Sequence, residues 1–211
     1  MAYHIESASR GTRAEAHLPR RTTLKNGQVA LLDLLREPYD DEDVKTLHAT
    51  FSQVVDEQLG YPQVGPVTLD AFKAYYLSDD VFVLRSQDAL GEIFGAFYIK
   101  PNFPGRCSHI CNHGFMVPPP HRNKGVGTVL AKNALWLSKL LGYEYVYYNL
   151  VFTDNKHAIH AYKKLGFEQT GFVPRAGRVT RAGVTTYQDA VQLHFDLRSV
   201  EIEPENSPEG R

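Results

Sequence analysis

HRNKGVGT (residues 121–128) lies between the proline run VPPP (117–120) and TVLAKNALWLSKLL (128–141). The segment before it, CNHGFMV (111–117), is strand-like. The segment after it reads as a helix, because Leu130, Ala134, Leu137 and Leu141 recur at intervals of four, three and four and form one apolar stripe. Lys132 and Lys139 sit off that stripe, and Gly142 is a stop signal. YEYVYYNLVF (143–152) follows, rich in aromatic and branched side chains, and reads as a buried strand. HRNKGVGT therefore joins a strand to a helix N-terminus inside a strand-helix-strand unit. Free amides and the positive end of the helix dipole point the same way there, which suits an anion such as phosphate.

Exclusion narrows the phosphate. A Walker loop needs G-x-x-x-x-G-K-[ST] and a dinucleotide fold G-x-G-x-x-G; HRNKGVGT is neither. It does contain R-x-x-G-x-G, at Arg122, Gly125 and Gly127. After the next strand come Asn155, Ala158, Tyr162, Gly166 and Phe167, spelling N-x-x-A-x-x-x-Y-x-x-x-G-F.

With 211 residues and a formal charge of -1, the chain suits one ordinary domain and is no general polyanion binder. Its densest basic stretch, 175–181, is short for a nucleic-acid face. No run of about 18 apolar residues is present, so no membrane span is expected. Cys107 and Cys111 are too few for a disulfide scaffold, and no apolar signal segment opens the sequence. A reducing, cytoplasmic location is expected; Arg10, Arg13, Arg20 and Arg21 leave mitochondrial import open. Residues 1–25 show little apolar periodicity and are expected to be a flexible arm, and the acidic segment 199–211 a disordered tail. Residues 26–198 read as one domain.

Within that domain, 28–35 predicts a strand, 41–59 a helix and 68–77 a second helix capped by Thr68. VFVLR (81–85) and EIFGAFYIK (92–100) read as paired strands joined by a turn at 86–91. RCSHICNHGFMV (106–117) reads as a further strand on which Cys107, His109, Cys111 and His113 share one face. Zinc suggests itself, but neighbours on a strand face lie roughly 6.6 Å apart, so one straight strand cannot enclose an ion with bonds of about 2.0 to 2.3 Å. No metal is expected. The opposite face carries Asn112 among apolar neighbours, where an amide needs a partner, structural or ligand. Asn149 likewise interrupts an apolar, aromatic strand.

The two motifs together resemble the GNAT superfamily of acetyl-CoA-dependent N-acetyltransferases, over roughly residues 81–197. The resemblance implies an α/β (α+β) fold, with a central mixed, mostly antiparallel twisted sheet of about seven strands flanked by helices. It implies acetyl-CoA as acetyl-donor cosubstrate, its pyrophosphate held by Arg122, Asn123, Lys124, Gly125, Val126, Gly127 and Thr128. Met116, Val117, Asn155 and Tyr162 complete the implied cofactor site. AFYIKPNFPGRCSHICNHGF (96–115), LLGYEYVYYNLVFTDN (140–155) and GFVPRAG (171–177) look more closely like the fungal N-acetyltransferases that detoxify azetidine-2-carboxylate, a proline analogue. That branch implies a small amino or imino acid as partner. It also implies Asn112 and Asn149 as substrate-binding residues and Asn149 and Asn155 as catalytic ones, whereas Tyr162 is implied as catalytic by the wider superfamily. A homodimer is left open.

In this chemistry an amine attacks the thioester carbonyl, an oxyanion forms, and the thiolate leaves; donors for the oxyanion and a proton route are required. Tyr162 occupies the position where many GNAT enzymes protonate the thiolate, yet Ala158, Tyr162 and Leu165 also make the apolar stripe of their helix. The azetidine-2-carboxylate branch need not use a tyrosine there. No Asp or Glu lies on 110–117; Glu92, His109 and His113 stand as candidate bases beside a water-mediated or prior deprotonation. Tyrosines 143, 145, 147 and 148 read as sheet packing, Trp136 as core, and Lys163, Lys164, His157 and His160 as surface. Two other functions stay open: a protein or peptide acetyltransferase, and a non-catalytic acyl-CoA-binding module.

Overall fold

The computed structural model describes residues 10–87 and 91–201. Through these runs one mixed sheet of eight strands, in the order β1 (Arg20–Thr23), β2 (Val29–Leu34), β3 (Asp80–Ser86), β4 (Ile93–Pro101), β5 (Ile110–Met116), β6 (Tyr145–Phe152), β8 (Val184–Asp196) and β7 (Glu168–Arg181). Every neighbouring pair is antiparallel except β5 and β6. The expected α/β sheet flanked by helices is present, with one strand more than the seven expected.

Alternation along the central strands divides the core in two. On β4, Ala96 and Tyr98 pack with α1 (Asp41–Asp56) and α2 (Leu69–Tyr76), whereas Phe97 and Ile99 pack with α3 (Val126–Leu140) on the other face. The predicted stripe of α3 is fully inside: Leu130, Ala134, Leu137 and Leu141 are all buried. Helix α1 is opened by Asp40, whose carboxylate accepts from the amides of Glu42 and Asp43. Thr68 caps α2 as expected, accepting from the amide of Ala71.

Several boundaries differ from the sequence reading. Helix α1 ends at Asp56 rather than at residue 59, because Gln58 takes a left-handed conformation (φ 56°) and turns the chain away. The strand expected from residue 106 begins at Ile110; Gly105–Cys107 form a 3-10 turn, with Gly105 at φ 57°. Cys107 is therefore exposed and off the strand, while Cys111 is buried, so the supposed shared face of four ligand-type residues does not exist. Strand β6 starts at Tyr145 rather than residue 143, since the amides of Tyr143 and Glu144 donate to Ser138 and His109 in the connection.

The N-terminal segment departs most. Residues 1–9 of the expected flexible arm lie outside the described residues, but the rest is folded: Gly11–His17 form a 3-10 helix with Ala14 buried, and β1 pairs with β2. The amides of Arg10 and Gly11 donate to the carboxylate of Asp80 at 2.8 and 2.9 Å. Arg10 lies over the Tyr143 ring and Arg20 over that of Trp136. Backbone pairing and cation–π contacts, which leave no apolar period in the sequence, hold this segment. Of the tail expected at 199–211, residues 202–211 lie outside the described residues, as do 88–90 in the β3–β4 turn. Among the described residues no helix is long and apolar enough to cross a membrane.

Candidate active site

The parallel ladder between β5 and β6 joins only Ile110 to Tyr145 and Cys111 to Val146, and a bulge between Tyr148 and Val151 shifts β6 against β8. Beyond the ladder the two strands part, leaving main-chain groups of both to a gap in mid-sheet. At the far end of β5 the chain turns through the loop 117–125 into α3.

That loop is shaped for an anion. Asn123 (φ 61°) and Gly125 (φ 83°) are both left-handed, the turn that successive amides need to face one point. Among the described residues the amides of Asn123, Lys124, Gly125, Val126 and Gly127 have no protein acceptor, while that of Thr128 already donates to Gly125 at the start of α3. A Cβ on Gly127 would meet nothing within 4 Å, so the helix end is an open cradle. The Arg122 side chain is engaged elsewhere: Nε donates to the Val117 carbonyl at 3.0 Å, and the guanidinium pairs with Glu57 at 2.7 Å. Arg122 thus ties the loop to the end of α1 rather than pointing its charge at a phosphate.

Past the end of the ladder, three asparagines meet. The Asn149 amide donates to Asn102 Oδ1 at 2.6 Å, Asn112 donates to the same oxygen at 3.1 Å, and Asn102 returns a bond to Asn149 Oδ1 at 3.1 Å. Asn102 is the buried member and binds its own amide to the Ile110 carbonyl. Asn149 is exposed, next to the β6 bulge, so it is not the buried amide that the apolar surroundings in the sequence suggest.

Residues 42–167 match the model of the acetyltransferase (GNAT) family. This chain belongs to the GNAT acetyltransferase family. It is similar to N-acetyltransferase aca1 of Schizosaccharomyces pombe, 44% identical over 109 residues that cover 52% of this chain and 51% of that protein. The chain thus spans about half the length of that relative. Among solved structures, a GCN5-related N-acetyltransferase from Kribbella flavida superposes with a TM-score of 0.68 at 24% identity, covering 78% of this chain and 97% of that one. A GNAT superfamily phosphinothricin acetyltransferase from Sinorhizobium meliloti, solved in complex with acetyl-CoA, gives 0.63 at 17% identity, covering 78% and 88%.

The other residues singled out in this GNAT chain are scattered around the gap. Tyr162, on α4 (Lys156–Leu165), packs its ring against Tyr148, Phe167 and Phe115, on the sheet face opposite the asparagines. Its hydroxyl has no hydrogen-bond partner among the described residues, and burial raises its pKa well above the ordinary phenol range. It lies close enough to Tyr61 and Tyr98 to act on both electrostatically. Asn155 does not join the other asparagines. Its Oδ1 caps α4 by accepting from the Ala158 amide at 3.2 Å, and its Nδ2 donates to the Leu59 carbonyl at 3.3 Å. Both ends of that amide are in use holding α4 to the α1–α2 loop. The Met116 side chain is buried against α1 and α2, which leaves its main chain as the part able to face a ligand, and Val117 gives its carbonyl to Arg122.

None of the three candidate bases is well placed. His113 is buried and hydrogen-bonded to Tyr148 and Ser138 at 3.0 and 2.7 Å, and desolvation lowers its pKa to about 3, so it is neutral and fully engaged. His109 binds the Arg106 carbonyl in a surface turn, and Glu92 reaches His121 at 3.1 Å. The structure also brings in residues the sequence did not single out. Asn102 joins Asn112 to Asn149, and Lys100 is the cross-strand partner of Asn112. Their only signal was a polar interruption, Lys100 and Asn102 flanking Pro101, at the end of an apolar strand.

Proposed function

We propose that this chain is an acetyl-CoA-dependent N-acetyltransferase for a small amino or imino acid such as azetidine-2-carboxylate. The asparagine trio at the end of the β5–β6 ladder carries the reading. It is a polar, hydrogen-bonding patch beside a gap whose other end is the open amide loop, and the amides offer neutral donors and acceptors to a zwitterion. In this account the neutral amine attacks the thioester carbonyl, forming a C–N bond and an oxyanion that accepts hydrogen bonds from unpaired main-chain amides lining the gap. The C–S bond then breaks and the thiolate leaves, with the Tyr162 hydroxyl as the protein donor on that face. The amine's proton goes to water, since the histidines and Glu92 are engaged elsewhere.

A peptide acceptor is the second reading. Its support is a groove of about 480 Å³ between the α1–α2 loop and the β7–β8 hairpin, lined by Tyr61, Gln63, Phe152, Arg178 and Gln188. Gln63 Oε1 and Gln188 Oε1, on residues of its wall, are buried without a partner among the described residues. Coenzyme A release measured over proline analogues, free amino acids, polyamines and a histone-tail peptide separates the two. Turnover of azetidine-2-carboxylate or another free amino acid well above that of the peptide is expected. Turnover of the peptide alone overturns the small-molecule reading, and no turnover of any acceptor leaves the acyl-CoA-binding module.

A further inference from the structure

The β4 strand ends in an ammonium that the fold only half satisfies. Lys100 lies on the face of Tyr98 and directly opposite Asn112, so its side chain and the asparagine trio share one surface. Its Nζ donates to the Tyr75 carbonyl at 3.1 Å and sits 4.2 Å from the ring centroids of both Tyr75 and Tyr98. An ammonium has three donors, and this one has a single acceptor among the described residues. No carboxylate lies within ion-pair distance among the described residues; Asp79 attracts it only from farther away. The two rings recover part of the lost hydration, and the hydroxyls of Tyr75 and Tyr98, hydrogen-bonded to each other at 3.1 Å, fix those rings in place. Burial correspondingly lowers the ammonium pKa to about 8.

We propose that Lys100 is the residue that selects an acceptor bearing a carboxylate, pairing its ammonium with that group while the adjacent asparagine trio orients the amine. This rests on the small amino-acid reading above and deepens it. A carboxylate accepts the two unused donors, and in so poorly hydrated a place a charge-assisted bond is stronger than one in water. The aromatic walls also explain why lysine, a compact charge on a flexible stem, serves here: it retracts onto the tyrosines when no acceptor is bound.

The test compares wild type, Lys100→Met and Lys100→Arg on L-azetidine-2-carboxylate and on its carboxamide, which lacks the charge, with thermal unfolding of each preparation. For Lys100→Met, kcat/KM on the acid should fall by about 10- to 100-fold, chiefly through KM, while the carboxamide rate and the KM for acetyl-CoA stay within about twofold. Lys100→Arg should recover part of the loss on the acid. An unchanged KM for the acid in Lys100→Met, or equal losses on acid and carboxamide, overturns the role of Lys100 and leaves the acetyltransferase reading intact. A wild type that turns over no free amino or imino acid removes the substrate reading, and this proposal with it.

Discussion

Asn102 and Asn149 exchange two hydrogen bonds, at 2.6 and 3.1 Å, between the end of β4 and the bulge of β6, two strands that are not neighbours in the sheet. Asn102 Oδ1 also takes a bond from Asn112 on the intervening strand, so one buried oxygen sets two exposed or half-buried amides. Replacing Asn102 by Ala should lower kcat/KM for the amino-acid acceptor by the equivalent of about 1 to 3 kcal/mol, with acetyl-CoA affinity retained. Replacing Asn112 or Asn149 by Ala should have the same pattern. Because the three share bonds, the Asn102→Ala, Asn149→Ala double variant should lose less than the sum of the singles by at least about 0.5 kcal/mol. Additive losses would mean the trio does not act as a unit, and full activity in all of them that the amides are structural.

The two loop glycines answer different questions. A side chain at Gly125 is strained by its φ of 83° and would press on Lys25 at 3.1 Å, so Gly125→Val should lower the melting temperature as well as acetyl-CoA affinity. Gly127 faces open space, and Gly127→Val should keep near-normal stability while weakening acetyl-CoA binding about 10-fold or more, since the methyls fill the approach to the amides. Calorimetry with unchanged affinity for Gly127→Val would remove the loop from the cofactor site.

Tyr162→Phe keeps the ring packing on Tyr148 and Phe167 and deletes a hydroxyl with no protein partner among the described residues, so stability should change little. If that hydroxyl protonates the thiolate, kcat at saturating acetyl-CoA should drop about 100-fold. With its pKa raised, the group stays protonated through the neutral and mildly alkaline range, and the loss should not vary with pH there. An unchanged kcat with a clearly lowered melting temperature would make Tyr162 a packing residue.

His113 couples folding to acid. Its pKa falls from 6.5 in the unfolded chain to about 3 in the fold, so between these values the unfolded state binds the extra proton and stability drops as pH falls. One such proton is worth about 2 kcal/mol between pH 7 and pH 5. In urea titrations at pH 7 and pH 5, His113→Gln should lose about that much less than wild type over the interval. Identical losses would show that His113 does not carry the acid sensitivity.

Some of this was legible from pattern and some was not. The apolar stripe of α3 is a local period that records which side is buried, and Thr68 sits at a helix start where a short polar side chain can reach a free amide. The folded stretch at 10–25 was missed because its support is non-local: Asp80 for its amides, β2 for its strand, aromatic rings for its arginines. Gln58 ends α1 early for a similar reason, its left-handed turn being matched by two bonds to Thr180 in the β7–β8 hairpin.

The sequence by itself determined the family-bearing features: a strand, a glycine loop with free amides and a helix in succession, then a second helix carrying Asn155 and Tyr162. Each depends on neighbours within a few residues, where backbone geometry follows directly from residue type. Only the tertiary structure decided what those residues do with their polar atoms. It turned Arg122 toward Glu57, committed Asn155 to its helix and to Leu59, and joined Asn112 and Asn149 through Asn102, with Lys100 beside them. A hydrogen bond or ion pair is formed by whichever groups lie within about 3 Å after folding, and that proximity comes from the order and register of the strands, not from spacing along the chain.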